Sequence, residues 1–328
     1  MQWPRTLCYD GTMRKNNSHE PTTRKVLFVC TGNIFRSFSA EALLKHYLEK
    51  NKIKGWEVFS AGIAAEKQAI DKEVLANLKT LGVKDLNHKQ RKLDKAMLKK
   101  YDLVIAMAED HAEFIKKKLG YAHAVLFNEL VKDERSSVLD IEDEVKDHAT
   151  NRSSVEAMIG RTVKYIHDSI PKLVEGIEER VYLFSDFANG VYKRRHNNGF
   201  PVIKLYETPH TFAFMSISIP SKEDGHILVI PKKRYVLLHE IPHKVLSELL
   251  QAIQKIGAVL EQDHGGYNVL INNGRVADQY IFHAHFHLLP RDANDQISLN
   301  GWDNKEMTEK QFVEFNTKLK KKISSQLK

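Results

Sequence analysis

One segment near the start of the sequence combines a potential nucleophile with a cation. Cys30 follows an apolar run at 26–29, and Arg36 precedes a helical stretch. Gly32 and Asn33, between them, can adopt the unusual backbone angles of a tight loop. The N–H groups of such a loop and the N-terminus of the next helix form an anion site that also favours a thiolate. The alternative is a buried strand-end cysteine and a surface arginine.

A second group of residues alternates histidine with apolar side chains. His283, His285 and His287 are separated by Ala284 and Phe286. On a strand this spacing points the three imidazoles to one face and packs the other face into the core. It predicts chemistry that uses imidazole, as nucleophile or as acid and base. The alternatives are core or surface histidines, and a zinc site that has no nearby cysteine and no evident fourth ligand.

The order of elements places the first segment at the end of a buried strand. Strand candidates at 26–29, 57–63 and 103–107 are each followed by helical stretches, the first of them Ala40 to Lys50. This order predicts a doubly wound α/β domain with a mostly parallel sheet over residues 25–178. A helix that opens at Ser153-Ser154 and runs through Pro171 to about Arg180 closes it.

The second half of the chain has the pattern of antiparallel strands. Apolar runs at 211–219, 226–230, 268–271 and 280–289 surround one helical segment, 245–262. We therefore predict an α+β domain with an antiparallel sheet over residues 180–328, ending in a Lys-rich amphipathic helix. Residues 1–24 are polar without a period and predict a mobile tail.

Composition restricts the class of protein. The 328 residues are 42% hydrophobic and 28% charged, and no apolar run is long enough to span a membrane. Cys8 and Cys30 are the two cysteines and no signal peptide is evident, so we expect a reducing, cytoplasmic location. The net charge of +8 favours phosphate-bearing ligands. Nucleic-acid binding is the weaker alternative, because no recognition motif or aromatic-rich stretch is present.

The first half resembles the low-molecular-weight protein tyrosine phosphatases, whose loop reads V-C-x-G-N-x-C-R-S. The resemblance continues at 59–62, at His88 and at 101–104. It implies that the Cys30 thiolate attacks phosphorus and that an aspartate, Asp143 with Asp140 as its competitor, protonates the leaving oxygen. It also implies that Arg36 and the loop bind the phosphate, and that Ser37 bonds the thiolate. The loop residues expected at the substrate are Gly32, Asn33, Ile34 and Ser37.

Several positions of the first half depart from that family. Phe35 replaces the second loop cysteine, Phe38 a proline, and Glu144 the proline after the acid. The aromatic residues that flank a phenyl ring are missing, whereas Ile34 matches tyrosine-directed members and not the threonine of arginine-phosphate-directed ones. Arsenate reduction is disfavoured because resolving cysteines are lacking.

The second half resembles the histidine triad (HIT) family. The match includes the run 225–232, Asn272, Gln279 and Pro290-Arg291. The resemblance implies that His285 attacks an α-phosphate and forms a nucleotidyl-histidine intermediate. His283 would orient the His285 ring. His226 and His287 would contact the phosphate, while Asn272 and Gln279 serve the phosphate and leaving group. No metal or cofactor is implied, and homodimers are common in the family.

The HIT-like half also departs from its family. Tyr182 and Ser185 occupy the positions of the paired cysteines that bind structural zinc in many members. Asp278 replaces the glycine before Gln279, and Ser216 stands nearest to the acidic residue that grips the ribose. The sequence thus predicts a bifunctional enzyme: a phosphomonoester or phosphoprotein phosphatase fused to a HIT nucleotide hydrolase or transferase. The alternative is a HIT domain that only binds nucleotide.

Overall fold

The computed structural model describes residues 23–191, 200–218, 225–299 and 308–326. The predicted tail and Cys8 lie outside these ranges, except that Thr23 is described and Arg24 already belongs to the first strand. Among the described helices, none is both long and apolar enough to cross a membrane.

A parallel sheet of four strands forms the centre of the first half, in the order β2-β1-β3-β4. Its strands are β1 (Arg24–Cys30), β2 (Trp56–Gly62), β3 (Leu103–Ala106) and β4 (Val125–Leu126). Val26 and Phe28 of β1 pack on one face of this sheet, and Leu27 and Val29 on the other. A strand buried on both faces is typical of a parallel sheet covered by helices. The predicted doubly wound α/β fold is confirmed.

Helices cover both faces of this sheet. α1 and α7 contact each other on one face, and α4 lies beside β3 and β4 on the other. The helices of the first half are α1 (Arg36–Lys50), α2 (Lys72–Thr80), α3 (Lys95–Leu98), α4 (Glu109–Leu119), α5 (Phe127–Lys132), α6 (Ile141–Glu144) and α7 (Arg152–Ile177).

The second half is built on an antiparallel sheet of five strands in the order β5-β6-β7-β9-β8. The strands are β5 (Lys204–Glu207), β6 (Thr211–Met215), β7 (Ile227–Pro231), β8 (Gly266–Ile271) and β9 (Phe286–Arg291). Helix α9 (His243–Asp263) packs on the sheet through Leu249 and Ala252. The predicted α+β architecture is confirmed.

One helical segment runs across the predicted domain boundary near Arg180. α7 continues into a π-helical turn, Glu178–Tyr182, and then into α8 (Leu183–Ala188). Phe184 and Phe187 of α8 pack against Phe212 and Phe214 of β6. The segment therefore begins in the core of the first half and ends on the sheet of the second. The C-terminal helix is α10 (Glu309–Gln326), and its described side chains are exposed.

The last predicted strand begins later than its alternating pattern suggests. β9 starts at Phe286, so His283 and His285 precede it. The main chain there bonds elsewhere: the Phe282 N–H donates to the Arg180 carbonyl at 2.7 Å, and the Ala284 N–H to the Tyr235 carbonyl at 2.7 Å. These tertiary bonds hold the segment away from the ladder, and sequence alternation cannot anticipate them.

Candidate active sites

The loop of residues 30–36, hereafter the Cys30 loop, lies between the carboxyl end of β1 and the start of α1. The segment after β2 holds it: the N–H groups of Ile63 and Ala64 donate to the carbonyls of Cys30 and Thr31 at 2.9 and 3.0 Å. A Cβ at Gly62 would lie 2.5 Å from the Thr31 carbonyl oxygen. The loop therefore requires glycine at position 62. This glycine lies in the segment 59–62, one of the segments on which the resemblance rests.

Asn33 stabilises the Cys30 loop from inside. It is fully buried and has a φ of +57°, a left-handed conformation that asparagine tolerates. Its side-chain Nδ2 donates to Ser60 Oγ at 2.7 Å and to Ser37 Oγ at 3.1 Å, while its Oδ1 accepts from the Arg91 N–H at 2.9 Å. The Asn33 carbonyl lies 2.7 Å from Nε2 of His88, whose pKa burial lowers.

The Cys30 thiol is almost completely buried and lies beside a hydroxyl. Its Sγ is 2.9 Å from Ser37 Oγ, and the Cys30 residue is only 3% exposed. Because Ser37 Oγ accepts from Asn33, its own hydrogen is left for Sγ or for the Ala61 carbonyl at 3.4 Å. The sequence-predicted contact between Ser37 and the nucleophile is present.

Arg36 is a buried cation at the same loop. One guanidinium nitrogen donates to the Val138 carbonyl at 2.8 Å, and another forms an ion pair with Asp140 and lies 3.5 Å from Thr31 Oγ1. Burial raises the pKa of Asp140, although the nearby Arg36 opposes that rise. The surface-cation alternative for Arg36 is wrong, since the residue is 3% exposed.

The two candidate acids lie together but have different partners. Asp143 Oδ2 accepts the main-chain N–H of Asp140 at 2.7 Å at the start of α6, and the Asp143 residue is exposed. Asp140 is the one that touches Arg36. His111 contacts the Cys30 loop, and the charge of Asp143 opposes the lowering of the His111 pKa by burial and Arg36.

Sequence reasoning missed His111 on α4. The side chain is fully buried, and its Nε2 lies 2.9 Å from Thr31 Oγ1 in the Cys30 loop. Burial, assisted by the Arg36 charge, lowers its pKa to about 4, so it is neutral at pH 7. A single histidine on a helix has no spacing signal that could have identified it.

His285 of the second half is held in one tautomer. Its Nδ1 lies 2.7 Å from the His283 carbonyl, and a carbonyl only accepts, so Nδ1 carries the hydrogen. Burial lowers the pKa of His285, and the neutral ring therefore has its lone pair on Nε2. Among the side chains that the structure describes, none hydrogen-bonds this Nε2. Such an atom can attack an electrophile.

His283 orients His285 through its main chain. Its own ring is fully buried and donates from Nε2 to the Pro231 carbonyl at 2.7 Å. Its Nδ1 lies 3.4 Å from Ser185 Oγ. Burial lowers the pKa of His283 to about 3.

His226 and His287 form a hydrogen-bonded pair beside His285. His226 donates from Nδ1 to the Ser218 carbonyl at 2.6 Å, so its Nε2 accepts from Nδ1 of His287 at 2.9 Å. The His287 ring centroid is 4.7 Å from that of His285. His287 Nε2 is buried and has no partner among the described residues. One added proton would turn this nitrogen into a donor for a phosphate oxygen.

The two predicted amide contacts are directed toward main chain. Gln279 is 2% exposed; its Oε1 accepts from the Gly274 N–H at 2.7 Å and its Nε2 donates to the Val236 carbonyl at 2.6 Å. Asn272 donates to the Asp278 carbonyl at 3.3 Å. Asp278 itself is exposed with a φ of +59°, which explains why glycine suits that position.

The remaining predicted positions lie in loops, two of them in the Cys30 loop and one directly after β6. Ile34 and Gly32 are half-buried neighbours in the Cys30 loop. Ser216 is buried, and its Oγ accepts from the Ser218 N–H at 3.1 Å. Within the described ranges, no group of three or more histidine, cysteine, aspartate or glutamate side chains is arranged to hold a metal ion.

Comparisons with known proteins divide the chain in the same way. The family model described as low molecular weight phosphotyrosine protein phosphatase matches residues 25–183, and the HIT domain model matches residues 198–294. An adenosine 5'-monophosphoramidase of Candida albicans is 37% identical over 130 residues, which cover 38% of this chain and 84% of that relative. Its counterpart in Schizosaccharomyces pombe is 34% identical over 124 residues, which cover 38% and 90%.

A solved structure resembles the first half. The crystal structure of a low molecular weight protein tyrosine phosphatase from T. tengcongensis shares 30% identity and has a TM-score of 0.40, covering 46% of this chain and 98% of that one.

Proposed function

Because the chain belongs to the HIT family and joins its HIT domain to a low-molecular-weight phosphatase domain, we propose that it is an enzyme with two active sites that both act on phosphorus. The first hydrolyses phosphomonoesters at Cys30, and the second hydrolyses adenosine phosphoramidates at His285. The observation that carries the proposal is that each nucleophile lies beside the group its reaction needs. Cys30 Sγ is 2.9 Å from a hydroxyl, and His285 is fixed with its lone pair on Nε2.

In the phosphatase step, the Cys30 thiolate attacks the phosphorus in line with the leaving oxygen. Sγ–P bond formation accompanies P–O cleavage, and Ser37 donates a hydrogen bond to the thiolate. Arg36 and the loop N–H groups stabilise the equatorial oxygens. Water then attacks the cysteinyl-phosphate, releasing inorganic phosphate and restoring the thiolate.

We assign proton donation to Asp143 and the positioning of Arg36 to Asp140. Asp140 already forms an ion pair with the buried guanidinium, and donating its proton elsewhere would compete with that contact. Asp143 uses one carboxylate oxygen, Oδ2, to accept the Asp140 N–H. Its other oxygen can carry the proton that the leaving oxygen receives. Asp143 then acts as the base for the attacking water.

In the HIT step, His285 Nε2 attacks the α-phosphorus of the nucleotide. The Nε2–P bond forms as the P–N bond to the amine breaks, and the leaving amine takes a proton from the solvent. The hydrolysis that follows returns a proton to the solvent and restores neutral His285. Water hydrolyses the nucleotidyl-histidine to the nucleoside monophosphate. When a nucleotide phosphate binds beside the His226–His287 pair, its negative charge would favour a proton on His287 Nε2, which then donates to a phosphate oxygen and gives this buried nitrogen a partner.

The substrates we propose are a phosphomonoester or phosphoprotein at Cys30 and a nucleotide at His285, in a cytoplasmic protein. The domains would span residues 25–178 and 180–328, and the HIT domain would pair as a homodimer. No cofactor takes part in either step.

A second candidate function is a HIT domain that binds nucleotide without turnover. The observation that favours it is the Gln279 loop: both ends of the Gln279 amide are bonded to main chain, and the exposed Asp278 carboxylate adds a negative charge beside it. In that case the HIT domain regulates the phosphatase by its occupancy.

A paired assay tests the proposal. Wild type, Cys30→Ser and His285→Asn are measured with p-nitrophenyl phosphate and with adenosine 5'-phosphoramidate. The matched controls are Cys8→Ser, at the second cysteine of the sequence, and His243→Asn, at the start of α9. We expect each nucleophile variant to lose its own activity by at least about a thousandfold and to keep the other. Wild type that binds AMP yet leaves the phosphoramidate intact would favour the binding-only function.

A further inference from the structure

A cluster of charged side chains lies where the two domains meet: Arg180 is buried, Arg275 is half-buried and Asp133 is exposed. Asp133, the residue after α5, accepts two guanidinium groups on the same carboxylate oxygen: Arg275 at 2.8 Å and Arg180 at 2.9 Å. Arg275 also donates to the main-chain oxygen of Asp133 at 2.6 Å. Arg180 is only 2% exposed. A residue of the phosphatase domain thus holds two residues on the HIT side, partly shielded from water.

Arg275 belongs to a small closed loop that contains a predicted catalytic contact. We call residues 274–282 the Gln279 loop. The Gln279 N–H donates to the Gly274 carbonyl at 3.2 Å, and the Gly274 N–H donates back to Gln279 Oε1 at 2.7 Å. Arg275 is the neighbour of Gly274 and points its guanidinium at the phosphatase domain. A displacement of Arg275 therefore moves the residue that fixes the Gln279 amide.

Arg180 binds the other end of the Gln279 loop. Its Nε donates to the Tyr280 carbonyl at 3.3 Å, and its carbonyl accepts the Phe282 N–H at 2.7 Å. Its guanidinium lies 4.4 Å from the centre of the Tyr280 ring and 4.8 Å from that of Phe282. The next residue is His283, whose carbonyl fixes the His285 tautomer. The path from Asp133 to the nucleophile is short and bonded throughout.

We propose that Asp133 is a positioning residue for the HIT reaction. Through Arg275 and Arg180 it holds the Gln279 loop in the conformation that fixes the Gln279 amide and leads into His283, whose carbonyl contacts His285. The loop needs such support because it contains two residues with positive φ, Gly274 at +88° and Asp278 at +59°. This inference rests on the proposed function of His285. It makes the phosphatase domain part of the HIT active site.

The test compares three variants of the full chain. Asp133→Ala removes both ion pairs. Asp133→Asn keeps an acceptor and tolerates the φ of +57° at this position but loses the charge. Lys132→Ala is the matched control, because it removes a neighbouring exposed pair with Glu134 that does not contact the HIT side. We expect Asp133→Ala to lower kcat for adenosine 5'-phosphoramidate about tenfold with less than about a twofold change in KM.

Asp133→Asn should lose less activity than Asp133→Ala, and Lys132→Ala should match wild type. Hydrolysis of p-nitrophenyl phosphate, unchanged in all three, shows that the chain remains folded. In a Gln279→Ala background, Asp133→Ala should cause a smaller further loss of kcat than in wild type, because part of its effect acts through that residue. Losses that multiply independently overturn the proposal.

Hydrogen exchange decides the proposal without reference to turnover. Peptides from 274–284 should exchange faster in Asp133→Ala than in Lys132→Ala. Equal exchange in the two variants overturns the proposal. If wild type does not cleave the phosphoramidate at all, the proposed HIT activity is wrong, and the exchange rates still determine whether Asp133 holds the loop.

Discussion

At the scale of single residues, the phosphatase site contains two carboxylates that are three positions apart in the sequence and have different partners. Asp140 contacts the Arg36 guanidinium, whereas Asp143 caps the turn that holds Asp140. Their assigned roles respond differently to the leaving group. A proton donor matters most when the leaving oxygen is basic, and a residue that positions Arg36 matters for any phosphate.

We therefore expect Asp143→Asn to slow phenyl phosphate hydrolysis at least about tenfold more than it slows p-nitrophenyl phosphate hydrolysis. Asp140→Asn should affect kcat/KM of the two substrates equally, because Arg36 loses its partner in both cases. The measurement is kcat/KM for each ester with each variant. Glu142→Gln, in the same acidic run, is the control. The reversed pattern would make Asp140 the proton donor.

Burial lowers the pKa values of the triad histidines. His285 must be neutral to attack, and its pKa lies below the usual 6.5. The pKa of His283 is about 3. The nucleophile thus stays unprotonated as the pH falls through 6.5. We expect kcat/KM for the phosphoramidate to lack a protonation step at pH 6.5 and to decline only at lower pH.

That pH dependence is checked by a profile of kcat/KM from pH 8 to pH 5, with p-nitrophenyl phosphate as the internal control for unfolding. A decline centred at or above pH 6.5 would mean that His285 titrates like a solvated imidazole. The lowered pKa values also make the stability of the folded state depend on pH. Its stability is fully present above pH 6.5 and falls as the pH drops toward the folded pKa values, because the unfolded histidines then bind protons that the folded ones do not.

At the scale of elements, the Cys30 loop depends on how closely β2 approaches it. A Cβ at Gly62 would meet main-chain atoms, the Thr31 oxygen at 2.5 Å and the Asn33 nitrogen at 2.9 Å. Gly62→Ala should therefore move the loop and lower phosphatase kcat at least about tenfold, at a stability cost of about 1–3 kcal/mol. The activity of the HIT site should not change.

Gly160→Ala is the matched control for that substitution. A Cβ at Gly160, inside α7, would lie 3.5 Å from the Asn77 side chain, an ordinary contact. Alanine in a helix interior stabilises by about 0.5–1 kcal/mol relative to glycine, so this variant should melt higher and keep both activities. Melting temperatures and both assays are measured together. A fully active Gly62→Ala enzyme would show that the loop tolerates displacement.

At the scale of the whole molecule, the two halves are joined by more than a linker. The continuous helices α7 and α8 carry residues from one core to the other. Arg24 of β1 contacts Asp186 of α8 at 2.7 Å, and Arg234 of the HIT side bonds the Asp102 carbonyl of the phosphatase side. The ion pair of Asp133 with Arg275 is a further contact between the two halves. The HIT site is thus built against the phosphatase domain.

Local pattern determined much of this protein. Periodicity identified the parallel and antiparallel sheets, because a strand buried on both faces and strands separated by turns differ in sequence. Motif spacing identified Cys30 and Arg36 as candidates, because a loop between a strand and a helix fixes where those side chains lie. The alternation of histidine with apolar residues identified the histidine triad. Cys30 and Ser37 are seven positions apart, and the loop between β1 and α1 brings their side chains into contact.

Tertiary structure decided the rest, because the deciding partners are distant in sequence. The late start of β9 depends on Arg180 and Tyr235, which bond the chain around His283. His111 reaches Thr31 from 80 positions away, and Asp133 reaches Arg275 from 142. Asp140, the acidic partner of Arg36, is likewise 104 positions away from it in the sequence. Periodicity reports only which face of an element a residue occupies, whereas these contacts depend on how whole elements pack.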